Sequence, residues 1–249
     1  MSGAQALQLT EDVEYLLNNV QYISAERCKR SFVRFVQEFW SEVELNSMSS
    51  RNGFDMMLAL TEEATFQVSN AIEEFLFNGS FTMATGLTAY GYTVWPDRNH
   101  YTITDWASAT PDAIVKEVIA MVDVLYNQNH YGPFKLYIPK DYAALMSYDY
   151  LTETSAYPVV GTIRDRLLQI EGLSEISVSR KLADNNIVIV EMSPRTIQVI
   201  QGLPMTVLDW EPPNSPNWRH LYKVMACMVP LLRSDYEGQN GICHGDLNP

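Results

Sequence analysis

The chain has 249 residues, of which 47% are hydrophobic and only 19% charged. That is enough apolar surface to offset chain entropy, which excludes wholesale disorder and leaves room for one large domain or two modest ones. Seventeen Lys and Arg against 30 Asp and Glu give a formal net charge of −13, the wrong sign for a tight, sequence-specific grip on a phosphate backbone.

Residues 1–10 lack the basic and apolar stretches of a secretory signal. No apolar run reaches the roughly 18 residues a membrane-spanning helix needs. Three distant cysteines, Cys28, Cys227 and Cys243, argue against a disulfide framework and for a reducing compartment. The 14 Tyr and 5 Trp fit either broad semi-polar contact surfaces or an ordinary aromatic core.

In chain order, Thr10 can cap a helix opening with Glu11 and Asp12, where Val13, Leu16, Leu17 and Val20 recur at helical spacing. Residues 24–40 place Phe32, Val33, Phe35, Val36, Phe39 and Trp40 around more than half of a second helix, which also carries Arg27, Lys29, Arg30 and Arg34. Residues 1–40 are therefore expected to form a helical arm. Residues 41–52, rich in Ser, Asn and Glu, read as a loop or short hairpin.

A firmer helix is predicted over 61–77. Thr61 precedes Glu62 and Glu63, the stripe Leu60, Ala64, Val68, Ala71, Ile72 and Phe75 follows, and Asn78-Gly79 stops it. Residues 80–105 read as loop. Thr110-Pro111 opens another helix with Ile114, Val118, Met121, Val122 and Leu125 on its buried side.

The pattern then changes. Gly132-Pro133 introduces an alternating strand over 134–138 that Pro139 ends, followed by a short helix over 140–146. Thr162 and Asp165 form a capping box for a helix over 163–170. Strands are predicted over 176–179, 186–191, 205–209 and 221–229. In the second of these, Ile187-Val188-Ile189-Val190 is apolar enough to be buried on both faces. The tail beyond Arg233 reads as loop. Early helices followed by late strands, without a repeated βαβ rhythm, define a mixed α+β class.

No linear chemical motif stands out. There is no Gly-x-Ser-x-Gly elbow, no phosphate-binding loop and no dinucleotide fingerprint. None of His100, His130, His220 and His244 pairs with another at i+3 or i+4. Cys227, Cys243 and His244 are the best metal set, but adjacent Cys and His suit one ion poorly, and an incidental role is favoured. Glu62/Glu63 and Glu73/Glu74 point about 100° apart on a helix and read as solvated. Asp97, His100 and Asp105 share an aromatic loop, where a plain loop surface is favoured over an acid–base set. No enzymatic activity, cofactor or metal is expected.

One ordered series of patterns carries a resemblance. The helix segment Glu63-Ala64-Thr65-Phe66-Gln67-Val68 runs into Glu73-Glu74-Phe75-Leu76-Phe77-Asn78-Gly79, and Gly86-Leu87, Trp106 and the Thr110-Pro111 helix follow. Next comes Tyr131-Gly132-Pro133-Phe134-Lys135-Leu136-Tyr137-Ile138-Pro139-Lys140-Asp141-Tyr142-Ala143-Ala144-Leu145. Over residues 62–242 this order resembles the HK97-fold shell proteins, the major capsid proteins of tailed phages and the related encapsulins.

The resemblance implies a peripheral domain (61–130) with its spine helix over 61–77; the helical arm (1–40), where the family usually has an extended one, and the short extension-loop region (41–60) depart from it. An axial domain (131–200) and a return to the peripheral domain with a tail (201–249) complete it. It also implies a capsid protein that self-assembles into an icosahedral head around phage DNA, located in the virion and assembled in the host cytoplasm. An encapsulin-like shell around cargo protein is the alternative, and a soluble α+β enzyme with dispersed site residues the third reading.

The implied partners are many copies of the chain itself, portal, scaffold or decoration proteins, and enclosed DNA bound without sequence specificity; no membrane is implied. Candidate inter-subunit contacts are Arg27, Arg30, Arg34, Phe39, Trp40, Glu73, Trp95 and Trp218. For the arginines, a contact with an acidic neighbour or packaged material stands beside a simply solvated basic face. The family's long extension loop has no counterpart of that length here, and residues 41–60 contain no lysine for the Lys–Asn cross-link of some members.

Overall fold

The structure is a computed structural model that describes residues 8–9, 13–16, 29–42, 56–82, 88–150, 161–210, 219–235 and 237–247. The chain divides into two compact units. Unit 1 comprises Met1–Phe75, Phe81–Ala89 and Val199–Val229, and unit 2 comprises Leu76–Ser80, Tyr90–Gln198 and Pro230–Pro249.

Unit 1 holds strands β1 (Gln8–Leu9), β2 (Val13–Leu16) and β3 (Lys29–Glu42). The helical arm expected over 1–40 is thus corrected at every described residue, all of which are strand. The doublets Phe32-Val33, Phe35-Val36 and Phe39-Trp40 recur at helical spacing, but aromatic and β-branched side chains also favour strands. What decides is a distant partner. β3 pairs antiparallel with β11 (Arg219–Leu232), in a register from Glu42 opposite Arg219 to Val33 opposite Met228. β2 adds Val13 opposite Phe32, and β10 (Ile197–Trp210) lies beside β11.

The helix expected over 61–77 is longer. Helix α1 spans Met56–Asn78, 23 residues, about 34 Å at 1.5 Å per residue. Met56, Met57, Leu58, Ala59 and Leu60 are good helix formers, so Thr61 lies inside the helix and does not cap it; its carbonyl accepts from Thr65 Oγ1 at 2.7 Å. Of residues 41–60, the first two thus end β3 and the last five open α1. Ala64, Val68 and Phe75 on α1 are buried with Ala89, Val224 and Ala226. In the last turn, within unit 2, the Leu76 and Phe77 carbonyls have no intrahelical donor. They accept from the Tyr92 N–H (2.9 Å) and the Thr93 N–H (3.0 Å).

Residues 80–105, read as loop, contain three short strands: β4 (Ser80–Thr82), β5 (Thr88–Tyr90) and β6 (Asn99–Thr102). Unit 2 is organised on a mixed sheet in the order β6-β12-β9-β7-β8. Here β7 is Phe134–Pro139, β8 Leu173–Ser179, β9 Ile187–Glu191 and β12 Ile242–Asp246. β7 runs parallel to β8 and antiparallel to β9, and β12 runs antiparallel to β9 and parallel to β6.

Helix α2 (Pro111–Asn127) starts where Thr110-Pro111 places it, the Thr110 hydroxyl accepting from the Ala113 N–H at 3.4 Å. Helix α3 (Ile163–Leu168) carries the Thr162/Asp165 capping box. Residues 140–146 form 3₁₀ turns at Lys140–Tyr142 and Leu145–Ser147 rather than an α-helix.

One face of the sheet, through Ile187 and Ile189, shares a core with Ile114, Val118, Met121 and Leu125 of α2; Trp106 stacks on Tyr142 in the same core at 5.3 Å. The other face, through Val188 and Val190, packs with Phe77, Tyr92, Trp95 and Leu182. Burial of Ile187–Val190 on both faces follows the sequence reading.

Helix α2 and β6 fall within unit 2, as does the last turn of α1, while the rest of α1 falls within unit 1. The tail read as loop supplies β12, an inner strand of the unit 2 sheet whose residues 242–245 are buried.

Candidate functional site

The proposed contact residues scatter. Arg27 and Trp218 lie outside the described residues, as does Cys28. Arg30, Arg34, Phe39 and Trp40 sit on β3, opposite Tyr15, Cys227, Tyr222 and Leu221 in turn. Glu73 is half-buried on α1. Trp95 is 7% exposed and packs in the core with Phe77, Tyr92 and Leu182.

Cys227 is buried in unit 1 and Cys243 in unit 2. Burial pushes the Cys243 thiol up to about 12, which disfavours the thiolate a metal needs. Asp105 is used locally, accepting from the Ala107 N–H (3.0 Å) and Ser108 Oγ (3.3 Å), and the Asp97 carbonyl accepts from Asn240 Nδ2.

The fold builds two other clusters, both within unit 2. In the first, Glu191 Oε2 accepts from His130 Nδ1 at 2.6 Å and from Thr196 Oγ1, while Oε1 accepts from the Gly132 N–H at 3.2 Å. The His130 and Glu191 side chains are each 9% exposed. Burial alone would push the Glu191 carboxyl up, but the Thr196 and His130 hydrogen bonds and the His130 charge outweigh it and hold it below the ordinary value. Every oxygen of that carboxylate has a donor, which marks a structural clasp between the end of β9 and the start of β10.

In the second, His100 Nε2 lies 3.0 Å from Asp246 Oδ2, and the rings of His100 and His244 meet edge to face at 5.6 Å. His244 Nε2 donates to Asn186 Oδ1 at 2.7 Å, and its Nδ1 accepts from Arg98 Nε at 3.2 Å. Burial and then the Arg98 charge push the His244 ring down to about 4, so it is neutral at physiological pH. Sequence reasoning missed this cluster because the two histidines were tested only at helical spacing. The available signal was His244-x-Asp246, a period of two that on a strand puts both residues on one face.

Large apolar side chains are exposed in both units: Phe66 at 54%, Val199 at 51% and Val207 at 46% in unit 1, and Tyr131 at 68% and Tyr148 at 61% in unit 2. Among the described residues, no helix is long and apolar enough to cross a membrane.

Solved structures share this fold over nearly the whole chain. A virus-like particle from Pyrococcus furiosus superposes with a TM-score of 0.65 at 14% identity, covering 96% of this chain and 90% of that one. The capsid of Myoviridae phage XM1 gives 0.65 at 11% identity, covering 98% and 85%. The capsid of a native GTA particle gives 0.58 at 13% identity, covering 100% and 85%. The fold is thus that of the HK97-like shell proteins, and its class is α+β. Residues 33–245 match the profile of a family of unknown function (DUF6260), and the chain belongs to that family. No curated protein matches the sequence.

Proposed function

We propose that this protein is the repeating subunit of a closed icosahedral shell, a phage-type major capsid protein without enzymatic activity. The observation that carries this reading is agreement in fold with capsid and particle subunits over 96–100% of the chain, with both compact units included.

The physical case is consistent with it. A tile with several neighbours commits much of its surface to contact, each stable interface burying on the order of 1,600 Å², and head-to-tail contacts close only at the right rotation. A surface with Phe66, Tyr131, Tyr148 and Val199 exposed suits that use. A net charge of −13 also leaves the subunit without the cationic surplus that would bind enclosed DNA tightly to the wall.

Within this proposal the chain assembles with itself in the host cytoplasm and resides in the virion, meeting portal, scaffold or decoration proteins there. Arg27, Arg30, Arg34, Phe39, Trp40, Glu73 and Trp218 remain its candidate contacts. An encapsulin-like shell around protein cargo is the second reading, favoured by the likeness to the Pyrococcus furiosus particle.

Size-exclusion chromatography with negative-stain microscopy of the purified chain tests the proposal. Megadalton shells are the expected result, and a stable monomer or dimer at micromolar concentration overturns both shell readings. The contents of particles isolated from the native source, DNA or a protein cargo, separate the two.

A further inference from the structure

β6 and β12 pair in parallel with His100 opposite His244 and Thr102 opposite Asp246. Facing residues in such a pair share a face, and the pleat returns to that face every second residue. His100, His244 and Asp246 therefore gather on one side of the sheet, although 146 residues separate His100 from Asp246. The other side is closed: a Cβ at Gly245 would lie 2.8 Å from Ile103 and 2.9 Å from Ile187.

The donor atoms converge. One ligand atom from each of the three residues lies within 4.8 Å of the others. The tautomer of His244 is set by its surroundings. Asn186 Nδ2 donates to the Asp184 carbonyl at 3.0 Å, which turns Asn186 Oδ1 toward His244 Nε2. An amide oxygen only accepts, so Nε2 carries the proton and Nδ1 presents its lone pair. Asp246 supplies an independent sign. Its Oδ1 is buried and is the one side-chain atom among the described residues that is buried with no hydrogen-bond partner. A buried carboxylate oxygen without a donor is expensive, and a cation would satisfy it.

We propose that His100, His244 and Asp246 bind a divalent transition-metal ion of the zinc class. Two imidazole nitrogens and one carboxylate oxygen are a borderline donor set that suits zinc, cobalt or nickel and not magnesium or calcium, with water completing four-coordination. His100 Nε2, His244 Nδ1 and an Asp246 oxygen are the ligand atoms. Asn186 is a positioning residue that fixes the His244 tautomer from behind, as the outer partners of metal-bound histidines do. Arg98 competes, because its Nε donates to the Nδ1 that would take the ion. Its Nη1 already donates to the Trp95 carbonyl at 2.9 Å, which gives the guanidinium an anchor once Nε lets go. Such an ion would tie β12 to β6.

The test is a titration of the full-length protein, in whatever assembly it forms, with cobalt(II) after chelator treatment and dialysis. Binding is followed by visible absorption, and zinc competition by calorimetry. One cobalt per chain with four-coordinate absorption is expected, displaced by zinc. His100→Gln and Asp246→Asn should each weaken binding at least ~10-fold, Asn186→Ala about as much, and Arg98→Gln should tighten it.

His100 is exposed, so His100→Gln carries the test alone if Asp246→Asn does not fold; circular dichroism checks each variant. No cobalt uptake by the wild-type chain, or uptake unchanged in folded His100→Gln, overturns the proposal. Neither outcome depends on whether the protein forms shells.

Discussion

In unit 2 both faces of the sheet are covered. Ile187 and Ile189 share a core with α2, and Val188 and Val190 share another with Tyr92, Trp95 and Leu182, all four strand residues being fully buried. Unit 1 is built on strands of 14 residues, β3, β10 and β11, yet among the described residues its buried cluster is six side chains: Ala64, Val68, Phe75, Ala89, Val224 and Ala226. Three of those are alanines, which bury little area. Unit 1 meanwhile exposes Phe66, Val199, Val207 and Leu208. Among the described residues, the larger buried clusters thus lie in unit 2, and both units keep large apolar side chains at the surface. The contrast teaches where a substitution should register: as unfolding in unit 2, and as altered association in unit 1.

The sharpest test of that contrast is Phe134→Asp in unit 2. Phe134 is fully buried on β7, and an unpaired carboxylate there should cost about 4 kcal/mol or more. Urea denaturation should find the variant largely unfolded; a midpoint near wild type would break the picture of a tightly filled unit 2.

Gly245→Val comes next. Its side chain would press on Ile103 and Ile187 at under 3 Å, and overpacking of this kind costs about 1–3 kcal/mol, read from the same denaturation curves. Thr162→Ala should cost about 1 kcal/mol through loss of the capping box on α3.

At the small end lies Phe66→Ser in unit 1. With 54% of its area already exposed, the change should alter subunit stability by about 0.5 kcal/mol or less while lowering particle yield in sedimentation assays. A large loss of stability with normal particle yield would reverse the comparison.

The Glu191 clasp adds a pH axis to unit 2. The folded carboxyl titrates below the ordinary glutamate value. Its stabilisation is therefore fully present above that value and is lost as pH falls through the depressed folded value. The stability gap between wild type and Glu191→Gln should be widest near neutral pH and narrow below about pH 4.5, as thermal melts across that range will register.

What could be read from the sequence was what is decided locally. The Thr110-Pro111 start of α2, the Gly132 and Pro139 bounds of β7 and the Thr162/Asp165 box each rest on neighbours within a few residues. The misread segments depend on distant partners. β3 has a pattern that satisfies either period, and only ten registered positions on β11 resolve it. β12, with the sequence Ile-Cys-His-Gly-Asp, alternates poorly and contains glycine, yet it is a strand because β6 and β9 enclose it. The His100, His244 and Asp246 cluster follows from that same pairing, so reading residues 242–246 as loop hides the period of two in His244-x-Asp246.

The place of β12 in the sheet also constrains the order of synthesis. Strand β6 hydrogen-bonds within the sheet to β12, and β12 leaves the ribosome more than a hundred residues later. Until then β6 has no ladder to join and one side of β9 is bare. A nascent polypeptide therefore cannot finish unit 2 while residues 242–246 are still in the exit tunnel, which withholds the mature surface from incompletely translated copies.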